Sequence, residues 1–119
     1  MLTLCFESDI RRVENAYKTL GVNDKVSGAN FLFFDEKDVV GFMRIQIDGH
    51  TALCEKTFFL PTVEDGDKEF FVRVMFAKFQ TIAPIIIRFD GIHPELKEFG
   101  FEKNDGGMEI ISNQINLHN

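Results

Sequence analysis

Apolar and polar positions along the chain switch repeatedly between a two-residue and a helical period. Residues 1–6 (MLTLCF) form an apolar run that reads as a short buried strand. Ser8 then stands as an N-cap, with Asp9 favourable at the positive end of a helix dipole. Ile10, Val13, Tyr17 and Leu20 fall on one helical face, and Gly21 closes that helix as its C′ residue. Residues 22–30 are polar and loop-like. From residue 31 the pattern is that of strands: FLFF (31–34), a turn DEKD (35–38) and VVGFMRIQI (39–47) read as a hairpin. In its second arm Phe42 alternates with Arg44 and Gln46 less cleanly than a one-sided strand requires. A strand covered on both faces over part of its length is expected there. Asp48-Gly49 is a tight-turn signal leading into a further strand, TALCEKTFFL (51–60), which Pro61 ends.

Residues 62–69 break the pattern. The segment FFVRVMFAKFQTIA (70–83) reads as a helix that is apolar nearly all round, with a stripe of Phe71, Met75, Phe79 and Ile82 and with Phe70, Val74 and Ala77 beside it. Such a helix must be largely buried against a sheet. IIIRF (85–89), after Pro84, is a continuous β-branched run and so a central, parallel strand. Pro94 opens a short helix PELKEF, with Gly100 as its C′ residue. Residues 101–111 read as strand, Asn-Asp-Gly-Gly turn and last strand. The order β-α-β-β-β-α-β-α-β-β describes one α/β domain over 1–119: a mixed sheet with an antiparallel meander, one buried central helix, and a C-terminal helix plus hairpin.

Composition narrows the function classes. A chain of 119 residues is one domain with room for a sizeable core. With 45% hydrophobic and 27% charged residues, the composition is near the globular average and argues against disorder. The net charge of −6 argues against nucleic-acid and anionic-membrane partners. Fourteen Phe against one Tyr and no Trp indicate packing rather than base or sugar stacking. Cys5 and Cys54 lie far apart in apolar runs without metal-ligand spacing, so two buried reduced thiols are expected. No basic segment precedes a long apolar stretch, so no signal peptide is read and a cytoplasmic location is expected.

Three local signatures, in this order, resemble the GNAT N-acetyltransferase superfamily. The first is the hairpin FLFFDEKDVVGFMRIQI, similar to an acidic turn followed by x-V-G-x and an apolar strand. The second is the strand ending LCEKTFFLP, followed by a loop and a buried helix. The third is IIIRFDG…ELKEFGFEK, which resembles the family's penultimate strand, short helix and Gly-Phe exit at Gly100-Phe101. The match covers roughly residues 31–111.

The resemblance implies an acyl transfer from acetyl-CoA or a related thioester to a small-molecule or peptide amine. It places the donor along residues 51–60, where a bulge frees backbone N–H groups, and the pyrophosphate on the following helix start. It also implies a splayed gap between strands 51–60 and 85–89. Carried over by residue, the cofactor contacts fall on Phe58, Phe59 and Leu60 and on Gly66, Asp67 and Lys68, mainly through the main chain. Glu55 is the candidate general base. The chain departs from the pattern in two places. Glu64, Asp65, Asp67 and Glu69, with Lys68 the one cation, stand in the phosphate loop, where the family carries Arg or Gln and glycines. Leu96 stands where the family's usual general acid is a Tyr, and Tyr17, the one tyrosine, sits on the first helix.

Each singled-out residue also has a plain structural reading. Glu55 reads as an exposed strand residue beside Lys56, and Cys54 as a small buried hydrophobe. His50 reads as a turn residue and His93 as an N-cap-like residue before Pro94. His118 lies in the polar tail. Asp65 and Asp67 read as N-caps, with Glu69 in the first turn. Three scattered histidines make no metal site, and the acids lack a calcium-loop spacing. Three readings therefore stand side by side: a GNAT-like N-acetyltransferase; a catalytically degenerate GNAT-fold module that serves binding or homodimerisation and no longer takes CoA in the usual way; and an unrelated α/β fold with a small-molecule cleft, which a structure without a splayed V between strands 51–60 and 85–89 would support.

Overall fold

The computed structural model describes residues 1–117. Seven strands form one sheet in the order β1-β2-β3-β4-β5-β7-β6. The strands are β1 Leu2–Glu7, β2 Ala29–Asp35, β3 Asp38–Asp48, β4 Thr51–Phe59, β5 Ile86–Asp90, β6 Glu102–Asn104 and β7 Gly107–Ile111. Every neighbouring pair is antiparallel except β4 and β5. Helix α1 (Ile10–Leu20) covers one face and helix α2 (Asp65–Gln80) the other. The short C-terminal helix is a 3-10 helix, Pro94–Phe99, ended by Gly100 with φ 99°. The mixed sheet, the meander, the buried central helix and the C-terminal hairpin are those expected. No helix among the described residues is long and apolar enough to cross a membrane.

Alternation along the central strands explains the two-sided core. Leu32 and Phe42 face α1, where they pack with Val13, Ala16, Tyr17 and Leu20. Phe33, Met43 and Ile45 face α2, with Phe71, Met75, Phe76 and Phe79. A period of two sends successive side chains to opposite faces, so a strand covered twice must be apolar on both. Gly41 lies where strands crowd: a Cβ there would sit 2.3 Å from the Phe58 carbonyl oxygen. That close backbone approach explains why glycine follows Val39-Val40 in the hairpin.

Several local expectations need correction. Asp9, not Ser8, is the N-cap of α1, and its side chain accepts from the Arg11 N–H at 2.9 Å. Helix α2 starts at Asp65, five residues before the expected 70, because acidic residues and one glycine suit a first turn that carries no apolar signal. Neither Asp65 nor Asp67 caps it; Glu64 occupies the N-cap position and makes no side-chain cap bond. Ile82, Ile10 and Phe70 are exposed rather than buried. The true inner stripe of α2 is Phe71, Met75, Phe76 and Phe79. Gly21 closes α1 as expected, at φ 75°, with the Val22 N–H bonded to Tyr17 O at 2.9 Å.

Candidate functional site

The parallel contact between β4 and β5 is short. It runs through Thr51↔Ile86, Ala52↔Ile87 and Leu53↔Arg88 and then ends. Beyond Leu53, β4 follows β3 while β5 follows β7, so the two strands splay apart into a V. A β-bulge sits at the point of departure. Ile45 pairs with Cys54 and Arg44 with Lys56, which leaves Glu55 as the extra residue of β4. The bulge re-aims the strand, so that Glu55 and Lys56 both reach the α1 side while Cys54 faces α2.

A cavity of about 400 Å³ opens in this V. That lies within the usual range of small-molecule sites, roughly 300–1,000 Å³. Cys54, Glu55 and Thr57 line it from β4, Phe89 from the end of β5, and His93 and Leu96 from the 3-10 helix region. Phe59 and Val72 close its α2 side, and the Lys68 ammonium lies 6.0 Å from the Phe59 ring centre. Most of the wall is apolar, with polar groups confined to the bulge and to the rim at Asp90, His93 and Glu95.

On the α1 side of the bulge lies a polar cluster. Arg44, whose side chain is 10% exposed, donates from Nε to Glu55 at 2.7 Å and from an Nη to Asp24 at 3.1 Å. Its other Nη donates to the Tyr17 hydroxyl at 3.4 Å. The Tyr17 hydroxyl in turn donates to Asn30. Lys56 completes the ring through Asp24 at 2.8 Å, and Gln46 donates to Glu55 at 3.1 Å. A buried guanidinium is stable only when carboxylates and hydrogen bonds compensate it, and here both are supplied. The Arg44 hydrogen bond, then that of Gln46, holds the Glu55 carboxyl below the usual carboxylate range. The Lys56 hydrogen bond, against partial desolvation and with help from Arg44, does the same for Asp24.

A carboxyl whose folded pKa is depressed stabilises the fold above its unfolded value, about 4. That stabilisation is lost as pH falls through the folded value. Thermal unfolding midpoints should therefore be level from pH 7 to 5 and fall below pH ~4. The Asp24→Asn, Glu55→Gln double variant should show a shallower acid limb; an unchanged limb would show that these two groups do not carry it.

The structure separates the expected site residues. Glu55 and Phe59 line the cavity, but the Phe58 ring turns to the α1 face and stacks on Phe42 at 6.0 Å. The Leu60 N–H is engaged by Val40 O at 2.8 Å, and those of Asp67 and Lys68 by Glu64 O, each at 3.0 Å. At the start of α2, the first-turn N–H groups of Asp65 and Gly66 precede any intrahelical acceptor, and Gly66 faces open space. Leu96 is buried in the cavity wall and Tyr17 is packed under α1, in the polar cluster. His50 is a turn residue; His118 lies outside the described residues. Arg44, Asp24 and Asn30 were not singled out by sequence. The one available signal was an arginine amid apolar residues in a strand covered on both faces.

The cysteines differ from expectation in one respect. Cys54 is buried, and burial pushes its thiol up, whereas Cys5 is exposed at the sheet edge. Under native conditions Ellman's reagent should titrate one thiol rapidly and the second only after unfolding. A Cys5→Ser variant that still reacts rapidly would contradict this.

No protein-family model and no curated protein matches the sequence. Solved structures are similar. The candidate N-acetyl transferase YhhK from E. coli, determined in solution with coenzyme A bound, superposes with a TM-score of 0.65 at 11% identity, covering 93% of this chain and 98% of that one. A GNAT-family acetyltransferase from Streptococcus pneumoniae gives 0.53 at 18% identity, covering 84% and 82%. At these identities the likeness concerns the fold, and the fold is that of the GNAT acetyltransferases.

Proposed function

We propose that this GNAT-fold chain transfers an acyl group from a thioester donor to an amine, with the reaction centre in the V between β4 and β5. The observation that carries this reading is the coincidence of three features: the end of strand pairing at Leu53, the bulge at Glu55, and a cavity of about 400 Å³ at that point. Extended donors fit such a gap because the splayed strand edges offer N–H and C=O groups without a partner strand.

On this reading the pantetheine arm lies along β4 from Thr57 to Phe59, between the Phe59 and Val72 side chains and the 3-10 helix. The acyl carbonyl reaches the bulge, where backbone N–H groups stabilise the charge that develops on its oxygen. The donor's phosphates extend toward the start of α2 at Gly66, Asp67 and Lys68, where Lys68 and the first-turn N–H groups of Asp65 and Gly66 attract them and the carboxylates repel them. Glu55 is kept ionised by Arg44, so it serves better to hold an incoming ammonium than as a strong base. After the ammonium gives up one proton to water, the free amine's nitrogen forms its bond to the acyl carbon as the carbon–sulfur bond breaks; the nitrogen then loses its surplus proton to water and the sulfur takes one up to leave as the thiol.

Incubating the protein with acetyl-CoA and a panel of primary amines, and following free thiol with time, tests the proposal. Amine-dependent thiol release above the buffer rate is expected. Its absence across small amines and lysine peptides would favour the second reading, a binding module. That reading draws on the carboxylates around the start of α2 and on Leu96 in place of a proton donor.

A further inference from the structure

We infer that His93 supplies the proton to the departing thiol, in the place that Leu96 leaves without an acid. The inference rests on the acyl-transfer reading above. His93 sits immediately before the 3-10 helix and lines the same cavity as the bulge residues Cys54, Glu55 and Lys56, from the opposite strand of the V. Among the described residues it is the one histidine in the cavity wall.

The ring is oriented by two contacts. Nε2 lies 2.8 Å from the Asp90 carbonyl oxygen. A carbonyl can only accept, so Nε2 carries a hydrogen and Nδ1 is the nitrogen left to exchange a proton. Nδ1 lies 3.9 Å from a Glu95 carboxylate oxygen. The Phe89 ring meets the imidazole at 6.1 Å and 65°, and the His93 main-chain N–H points to Met108 Sδ at 3.2 Å. The side chain is thus held between β5, β7 and its own turn while remaining 42% exposed on the cavity rim. A ring donating through one nitrogen to a carbonyl, with a carboxylate near the other, is the usual way to fix a tautomer and support a proton transfer.

The charged side chains beside the imidazole are Asp90 at the end of β5, whose carboxylate is held by Arg88 at 3.1 Å, and Glu95 on the 3-10 helix. Glu55 and Lys56 also line the cavity from β4, but their charged ends are held on the α1 side by Arg44 and Asp24. In the step itself, the amine nitrogen bonds to the acyl carbon and the carbon–sulfur pair leaves with sulfur. The Nδ1 proton passes to that sulfur, giving a neutral thiol. The nitrogen's surplus proton goes to water, and imidazole then regains a proton from solvent. No oxidant, reductant or further reactant is required.

The test compares wild type with His93→Gln, which keeps a donor toward Asp90 O but cannot protonate, and with His93→Asn as a second replacement. Both keep the apolar core untouched. Binding of acetyl-CoA is measured by calorimetry, and thiol release is measured at pH 7. In His93→Gln kcat should drop by about 10²–10³-fold, with KM for the donor within a factor of about two. Unchanged kcat in a turning-over enzyme would overturn the role of His93 alone. Absence of acetyl-CoA binding, or binding without turnover in wild type, would overturn the acyl-transfer reading and this role with it.

Discussion

Replacing Phe76 with alanine is expected to destabilise the protein by about 3–5 kcal/mol. Phe76 is fully buried. Its ring meets Phe99 edge-on at 5.0 Å and Phe101 at 5.4 Å, and it contacts Phe79 and Phe89 at 6.3 and 6.2 Å. Helix α2, strand β5 and the 3-10 helix are joined through that one side chain. Truncation leaves a void that rigid neighbouring rings fill poorly, so a cavity cost adds to the lost burial. Urea unfolding should show a lower midpoint with an unchanged slope. The matched control is Phe70→Ala, at a side chain 44% exposed, where a loss below about 1 kcal/mol is expected. Equal losses at the two positions would show that α2 is not seated as described. Because Phe89 and Phe99 also line the V, the Phe76 variant should weaken thioester binding as well.

The second large effect concerns charge. Residues 64–69 hold four carboxylates and one lysine, a net charge of −3, half of the chain's −6. Neutralising three of them in a Glu64→Gln, Asp65→Asn, Asp67→Asn variant should tighten CoA binding roughly ten-fold at low salt, through removal of like charge near the phosphates. Binding of pantetheine, which has no phosphate, should not change. Wild-type affinity for CoA should rise as salt is added, the reverse of a basic phosphate loop, because screening weakens repulsion. Calorimetry with CoA and pantetheine at two ionic strengths checks both statements. Equal CoA affinity in the two proteins would mean that the phosphates do not approach the start of α2. The Asp65 side chain extends fully into solvent and Glu64 forms no cap bond, so the substitutions should leave the helix start intact.

Much of the fold was legible because strong periodic signals agree with one another. The alternation in residues 31–47 and the unbroken β-branched run at 85–89 point to a sheet covered on both faces, and Leu32, Phe33, Phe42 and Met43 divide between the two helices as that requires. Boundaries were less legible where polar residues carry the structure. The first turn of α2 is acidic and contains Gly66, which resembles a loop until the apolar stripe begins at Phe71. Ser8 and Asp9 are equally good caps in isolation, and only the backbone decides that Asp9 accepts the bond.

The candidate site was legible in part. A bulge and a splayed gap were implied by the family resemblance, and the geometry places the bulge at Glu55, the residue singled out as a base. The partners of Glu55 were not legible. Arg44 reaches it across strands and Asp24 arrives from a loop 31 residues away in sequence, distances that no local pattern encodes. His93 read as a helix-initiating residue, which it also is, since it occupies the N-cap position of the 3-10 helix. Only the closing of the V in three dimensions puts it across from the bulge.

The central claim is that the V between β4 and β5 is the thioester site. Titration of the isotope-labelled protein with acetyl-CoA, followed by amide chemical shifts, tests it most directly. The largest shifts are expected at Cys54–Thr57 around the bulge, at Phe89 and Asp90, and at His93, with smaller ones at Gly66. Shifts confined to the β1 edge or the α1 face, or none at millimolar ligand, would contradict it.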